Sequence, residues 1–291
     1  MSYERTTPCG VISGTACQWP GIAAYKGIRY ATAGRWEFPI PVTHWDGVYD
    51  ATRYGACCYQ PRAFYDEAAA PGKAFYYNEF RKGETYTYSE DCLFLNIWAP
   101  ADAAPEDRLP VIFYIHGGGF TGGCGHEKHF DGPVWPTKGC VAVTINYRLG
   151  PRGFVCLPEL ADEAGSTGNY AFLDQLAALQ WVRTNIAAFG GDANNITIMG
   201  QSAGAMSVQQ LVLSPICGPL RPGESKKMEQ RRRREPDADG QARQSPLPVL
   251  EAGHGDRRVQ HAGRVPCPRP RPAVCSLGCR PHPAPVQGSG L

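Results

Sequence analysis

From residue 221 to residue 291 the sequence contains no isoleucine, phenylalanine, tyrosine, tryptophan, asparagine or threonine. The same 71 positions hold 12 arginines, 11 prolines and 8 glycines, with 14 Lys+Arg against 7 Asp+Glu. A segment so poor in large apolar side chains cannot bury enough surface to offset the entropy of ordering its backbone, so disorder is expected there. Other absences narrow the chain further. No apolar run approaches 18 residues, which excludes a membrane-spanning helix and argues against a membrane partner. The start, Met-Ser-Tyr-Glu-Arg-Thr-Thr-Pro, lacks the charged-then-apolar pattern of a secretory leader, so a cytoplasmic location is expected and the twelve cysteines are expected to be reduced. No paired C-x-x-C motif appears, which removes the usual zinc-binding frameworks. His126 and His129 lie in a glycine-bounded loop and read as surface residues. Neither a metal nor a cofactor is expected.

The first 220 residues differ in kind. They carry 15 Lys+Arg against 20 Asp+Glu, a mildly acidic balance that gives no reason to expect a nucleic-acid partner, and enough aliphatic and aromatic residues for a sizeable core. The chain is therefore read as a domain over 1–220 and a tail over 221–291. The abrupt change in composition is what a GC-rich coding sequence yields out of frame. Arg231-Arg232-Arg233-Arg234 keeps open a genuine basic segment for nucleic acid or localisation, and an unrecognised domain is the third reading.

Within the domain, short strands are expected near 10–13 and 22–30, then at 93–98, 111–116 and 141–147. A helix is expected over 170–188, where Leu173, Leu176, Leu179, Val182 and Ile186 recur every three to four residues as one apolar stripe. Strands alternating with helices predict an α/β fold, a mixed, mostly parallel twisted sheet with helices on both faces. No internal repeat is visible.

The most informative stretch is 189–204. A β-branched run at Ile196-Thr197-Ile198 leads into Gly200-Gln201-Ser202-Ala203-Gly204, and an apolar helix-compatible segment follows from Ala205 to Leu213. Strand, G-x-S-x-G, helix is the context in which this motif forms a nucleophile elbow. A serine at so sharp a turn is strained, and side chains at Gly200 or Gly204 would collide with the neighbouring strand or helix. Upstream, the apolar run 109–116 ends in His116-Gly117-Gly118-Gly119-Phe120. Consecutive glycines let backbone N–H groups point into a cavity. An HGGG loop of this kind supplies one donor for an oxyanion, and the residue after the serine, Ala203, supplies the other.

These segments together resemble the N-terminal part of the type-B carboxylesterase, or cholinesterase-like, family. Residues 189–204 fit its active-site serine pattern. Glu90-Asp91-Cys92-Leu93-Phe94-Leu95-Asn96 resembles its second signature, and Tyr25-Lys26-Gly27-Ile28-Arg29-Tyr30-Ala31 followed by Arg35-Trp36-Glu37-Phe38-Pro39 resembles its N-terminal block. Asn146-Tyr147-Arg148-Leu149-Gly150, Gly168-Asn169 and Asp174-Gln175 follow in family order. The resemblance covers about 8–219 and implies an α/β-hydrolase fold and hydrolysis of small-molecule carboxylic esters through an acyl-enzyme. It implies that Ser202 is the nucleophile and that the N–H groups of Gly118, Gly119 and Ala203 hold the oxyanion. Cys58 and Cys92 match positions that are bridged in secreted members; in a cytoplasmic enzyme they are expected to be unbridged. Many members carry Glu where this chain has Gln201.

For this fold the base and its orienting carboxylate follow the serine in the order Asp/Glu, then His. The resemblance places both beyond residue 291. His44 and His116 precede Ser202, and His254, His261 and His282 lie in the anomalous tail, so none is expected to be the base. Two further readings are a cholinesterase-like binding module without catalysis and a pseudoenzyme whose basic tail binds nucleic acid. Nothing in the sequence speaks to oligomeric state.

Overall fold

The central strands read as nearly unbroken apolar runs because both of their faces are covered. The computed structural model describes residues 3–61, 72, 74–80, 82–128, 132–164 and 168–214. All of these belong to the first of two units into which the chain divides, Met1–Gln244 and Ser245–Leu291. The expected disorder past 221, the arginine run at 231–234, and His129, His254, His261 and His282 lie outside the described residues.

In chain order the strands are β1 (Glu4–Thr7), β2 (Gly10–Ser13), β3 (Thr15–Ala16), β4 (Ile22–Arg29), β5 (Ala31–Thr32), β6 (Ile40–Pro41), β7 (Val48–Asp50), β8 (Cys57–Cys58), β9 (Tyr88–Ser89), β10 (Phe94–Pro100), β11 (Leu109–Ile115), β12 (Val141–Ile145) and β13 (Gly191–Gly200). The helices are α1 (Ala74–Phe80), α2 (Pro151–Phe154), α3 (Pro158–Ala164), α4 (Tyr170–Asn185) and α5 (Ala203–Leu213). Six strands form the main sheet in the order β13-β11-β12-β10-β4-β3.

This is the α/β-hydrolase fold, with a mixed sheet as expected. The expected parallel majority is not seen among the described strands: β11 runs parallel to β12 and β13, while β10–β12, β10–β4 and β3–β4 are antiparallel. The reason lies in the connections. The parallel neighbours β11, β12 and β13 follow one another through long crossovers, with α4 between β12 and β13, whereas residues 17–21 turn β3 straight back into β4 and the 30–93 segment returns the chain antiparallel as β10.

Strict alternation separates the two faces of the sheet. Tyr25, Ile97 and Val143 enter the main core, while their neighbours Ala24, Trp98 and Ala142 form a second cluster on the opposite side. The main-core face receives α4 and α5, which touch through Gln175 Nε2 donating to Ser207 Oγ at 3.1 Å. Against the other face pack two 3-10 turns, Gly132–Val134 and Pro136–Lys138; a side chain on Gly132 would strike the Trp98 indole. That face thus carries short 3-10 helices, while α4 and α5 lie on the other. Helix α4 also departs from the single stripe. Leu176, Leu179, Val182 and Ile186 are buried as expected, but so are Asp174, Gln175 and Trp181, because the helix is enclosed by sheet, α5 and the 34–37 segment. Among the described residues no helix is long and apolar enough to cross a membrane.

Candidate active site

Strands β11 and β13 are parallel neighbours with Ile115 opposite Gly200, so their C-terminal ends open side by side at the sheet edge where α/β proteins place ligands. From β13 the chain turns through Gln201 and Ser202 into α5. Ser202 has φ 54° and ψ −121°, a conformation that a residue with a Cβ rarely adopts, and its side chain is exposed. The flanking glycines make the turn possible. A Cβ at Gly200 would overlap the Gly204 backbone, and one at Gly204 would overlap the Ile115 carbonyl, so helix and strand meet where only hydrogen fits. The expected collision is thus observed at both positions.

The glycine loop after β11 reaches the same point. A Cβ on Gly117 would lie 3.1 Å from Ser202 Cβ. Gly118 and Gly119 adopt φ 110° and 62°, and the Gly118 carbonyl accepts the N–H groups of Thr121 and Gly122 at 3.1 and 3.0 Å, which curls the loop. The N–H groups of Gly118 and Gly119 donate to no acceptor among the described residues. Ala203 opens α5, so its N–H has no partner within the helix. The sequence-predicted residues are brought to one edge: Ser202, Ala203 and the loop bearing Gly118 and Gly119.

What holds that loop escaped the sequence reading. The block 146–150 lies against it and bonds it through Asn146, Tyr147 and Gly150. Asn146 Oδ1 accepts the Gly125 N–H at 2.8 Å while its Nδ2 donates to the Ala56 carbonyl at 3.0 Å. The Tyr147 hydroxyl donates to the His116 carbonyl at 2.9 Å, and its ring stacks on the His116 imidazole at 4.4 Å. Leu149 N–H donates to Cys58 Sγ, and Gly150 N–H to the Phe120 carbonyl at 2.7 Å. Gln60 grips from the other side: its Oε1 accepts the Gly123 N–H at 2.8 Å and its Nε2 donates to the Gly123 carbonyl at 3.0 Å. Gly123 is buried, so Gln60→Ala strands a buried N–H and should lower the unfolding free energy by about 1–3 kcal/mol. Chemical denaturation measures that loss, and hydrogen exchange should localise faster opening to residues 117–125. Unchanged exchange in that stretch would show that the clamp does not order the loop.

Arg148 points the other way, into a buried ion pair with Asp174. Its Nη2 and Nε donate to the two carboxylate oxygens at 2.7 and 2.9 Å, and its Nη1 to the carbonyls of Glu37 and Gly34. Burial pushes the Asp174 carboxyl up, and the Arg148 guanidinium opposes that rise.

Among the described histidines none meets Ser202. His44 is exposed beside Asp46 at 3.3 Å, and His116 Nδ1 lies 2.8 Å from the Gly117 carbonyl. His126 is not the surface residue expected: its ring is half-buried, stacks on Tyr54 at 4.4 Å, and sets Nε2 3.6 Å from Cys57 Sγ. Among the described residues no side chain hydrogen-bonds the Ser202 hydroxyl. Cys58 and Cys92 are free, buried thiols hydrogen-bonded to one another. That bond lowers the Cys58 pKa, and together with burial it pushes Cys92 well up.

The chain matches the carboxylesterase family over residues 2–220. It is 43% identical over 215 residues to the para-nitrobenzyl esterase of Bacillus subtilis, covering 72% of this chain and 40% of that one. It is 37% identical over 218 residues to the fumonisin B1 esterase of Sphingopyxis macrogoltabida, covering 73% and 37%. A solved thermophilic para-nitrobenzyl esterase superposes with a TM-score of 0.64 at 39% identity, covering 76% of this chain and 43% of that structure. The chain thus spans about two fifths of the length of these relatives.

Proposed function

The chain belongs to the carboxylesterase family, and we propose that it supplies the nucleophile and oxyanion half of a carboxylic-ester hydrolase site. Ser202 Oγ attacks the carbonyl carbon of a small-molecule ester. The oxygen that gains charge accepts hydrogen bonds from the N–H groups of Gly118, Gly119 and Ala203, donors fixed before the reaction begins. The ester C–O bond then breaks, the alcohol leaves with the proton taken from Ser202, and water releases the acid from the acyl-enzyme. The single observation that carries this reading is the strained, exposed Ser202 set against a glycine loop whose N–H groups find no acceptor among the described residues.

The proton transfers call for a histidine oriented by a carboxylate, following Ser202 in chain order. We place both in sequence that this chain does not match. With Gln201 beside the serine, no carboxylate at that position helps hold an imidazolium. No disulfide forms among the described residues, which supports a reducing, cytoplasmic setting. The reaction as drawn uses no cofactor.

A chimera tests the proposal. Residues 2–220 are joined to the portion of the Bacillus subtilis esterase that lies beyond its matched region. It should hydrolyse para-nitrophenyl acetate, and Ser202→Ala should reduce kcat by about 10⁶-fold, as loss of a serine nucleophile does elsewhere. A chimera that unfolds cooperatively yet hydrolyses equally well without the Ser202 hydroxyl would overturn it.

A further inference from the structure

Cys57 in β8, Cys124 at the end of the glycine loop and His126 come together although 67 residues of sequence separate the first two. Both cysteines are buried and His126 is half-buried, and their ligand atoms all lie within 4.8 Å of one another. We propose that these three side chains form a binding site for a thiophilic divalent cation of the Zn²⁺ class.

Two thiolates and one imidazole are a donor set that zinc favours, and Zn–S and Zn–N lengths of about 2.3 and 2.0–2.1 Å at the tetrahedral angle put S and N about 3.6 Å apart. Cys57 Sγ and His126 Nε2 are 3.6 Å apart. Two thiolates on the same ion would be about 3.8 Å apart by the same geometry, so the third donor moves by no more than about 1 Å. The ring is already aimed. Tyr54 stacks on it with planes 8° apart and Tyr86 packs on it at 5.4 Å, so Nε2 faces Cys57 without further ordering. The backbone is held as well, with Gly125 N–H bonded to Asn146 Oδ1 and Cys57 paired with Tyr88 across β8 and β9. On binding, each thiol loses its proton to solvent and two S–metal bonds and one N–metal bond form. The bound ion links β8 to the loop 117–126 and so shares the task of Gln60.

The test uses the full reduced chain, freed of metal with a chelator and titrated with Co²⁺ and then Zn²⁺. One equivalent of Co²⁺ should give thiolate-to-cobalt charge-transfer absorption and tetrahedral visible bands, both erased by one equivalent of Zn²⁺. Cys124→Ser and His126→Gln should each weaken Co²⁺ binding by more than about 100-fold, beyond the loss of an outer-shell partner. Cys140→Ser, and Cys267, Cys275 and Cys279 replaced together by serine, should leave the spectrum intact. A measurement on the unaltered chain guards against variants that misfold: Zn²⁺ should protect Cys57 and Cys124 from alkylation, read by peptide mass spectrometry. The proposal falls if Cys124→Ser keeps the spectrum, if saturating Zn²⁺ leaves both thiols equally alkylated, or if protein isolated anaerobically carries a Cys57–Cys124 disulfide.

Discussion

The 291-residue chain assayed alone should hydrolyse a short-chain aryl ester no more than about 10³–10⁴ times faster than water does, the residue of catalysis that an oxyanion hole and binding retain without a complete triad. The Ser202 hydroxyl is a weak nucleophile until a base takes its proton. Each described histidine is engaged elsewhere: His44 with Asp46, His116 with the Gly117 carbonyl and Tyr147, His126 with Cys57 and Tyr54. The assay compares the purified chain, the Ser202→Ala variant and the chimera described above. The chain should fall near its own Ser202→Ala control, while the chimera exceeds both by orders of magnitude. Vigorous turnover by the chain that disappears in the variant would show that His129, His254, His261 or His282 acts as base, and the proposed division of the site would then be wrong.

The parts of the site legible in the sequence are those written in adjacent residues. Strand, tight turn and helix around Ser202 follow one another within 189–213, and the need for Gly200 and Gly204 follows from the turn itself, as the overlaps with Gly204 and with the Ile115 carbonyl bear out. The strands β10, β11 and β12 were legible for a related reason, since runs buried on both faces carry their apolar residues almost without interruption, broken only by Asn96 and Thr144. What could not be read is pairing across the chain. Gln60 meets Gly123 across 63 positions, Cys57 meets His126 across 69, and Asp174 meets Arg148 across 26. No periodicity announces such contacts. The excess of antiparallel pairings belongs to the same class, because strand direction depends on how long each connection is and where it lands. Helix α4 shows the limit from the other side. Its leucines keep helical spacing, yet Asp174 and Gln175 are buried among them, and only the tertiary partners Arg148 and Ser207 make that tolerable.

The largest stability effect is expected at that buried pair: Asp174→Ala should cost about 3–5 kcal/mol, because it leaves the Arg148 guanidinium uncompensated in the interior. Side-chain exposure is 4% for Arg148 and 0% for Asp174, so water cannot take the place of the carboxylate. Three hydrogen bonds go at once, from Nη2, Nε and the Arg148 backbone N–H. The Gly34 and Glu37 carbonyls still accept from Nη1, but they carry no full negative charge. Removing both charges is a different perturbation. In the double variant Arg148→Met with Asp174→Leu the core receives apolar groups of comparable size, and Gly34 and Glu37, both exposed residues, can turn their carbonyls to solvent. The double variant should therefore lose less stability than Asp174→Ala alone, although it changes more atoms. Chemical denaturation of wild type, both single variants and the double variant closes the cycle and isolates the coupling. The 34–37 segment should loosen in Arg148→Met, seen as faster hydrogen exchange, since Arg148 ties it to α4. A loss below about 1 kcal/mol in Asp174→Ala would place this pair among surface ion pairs in its energetics and refute the argument from burial.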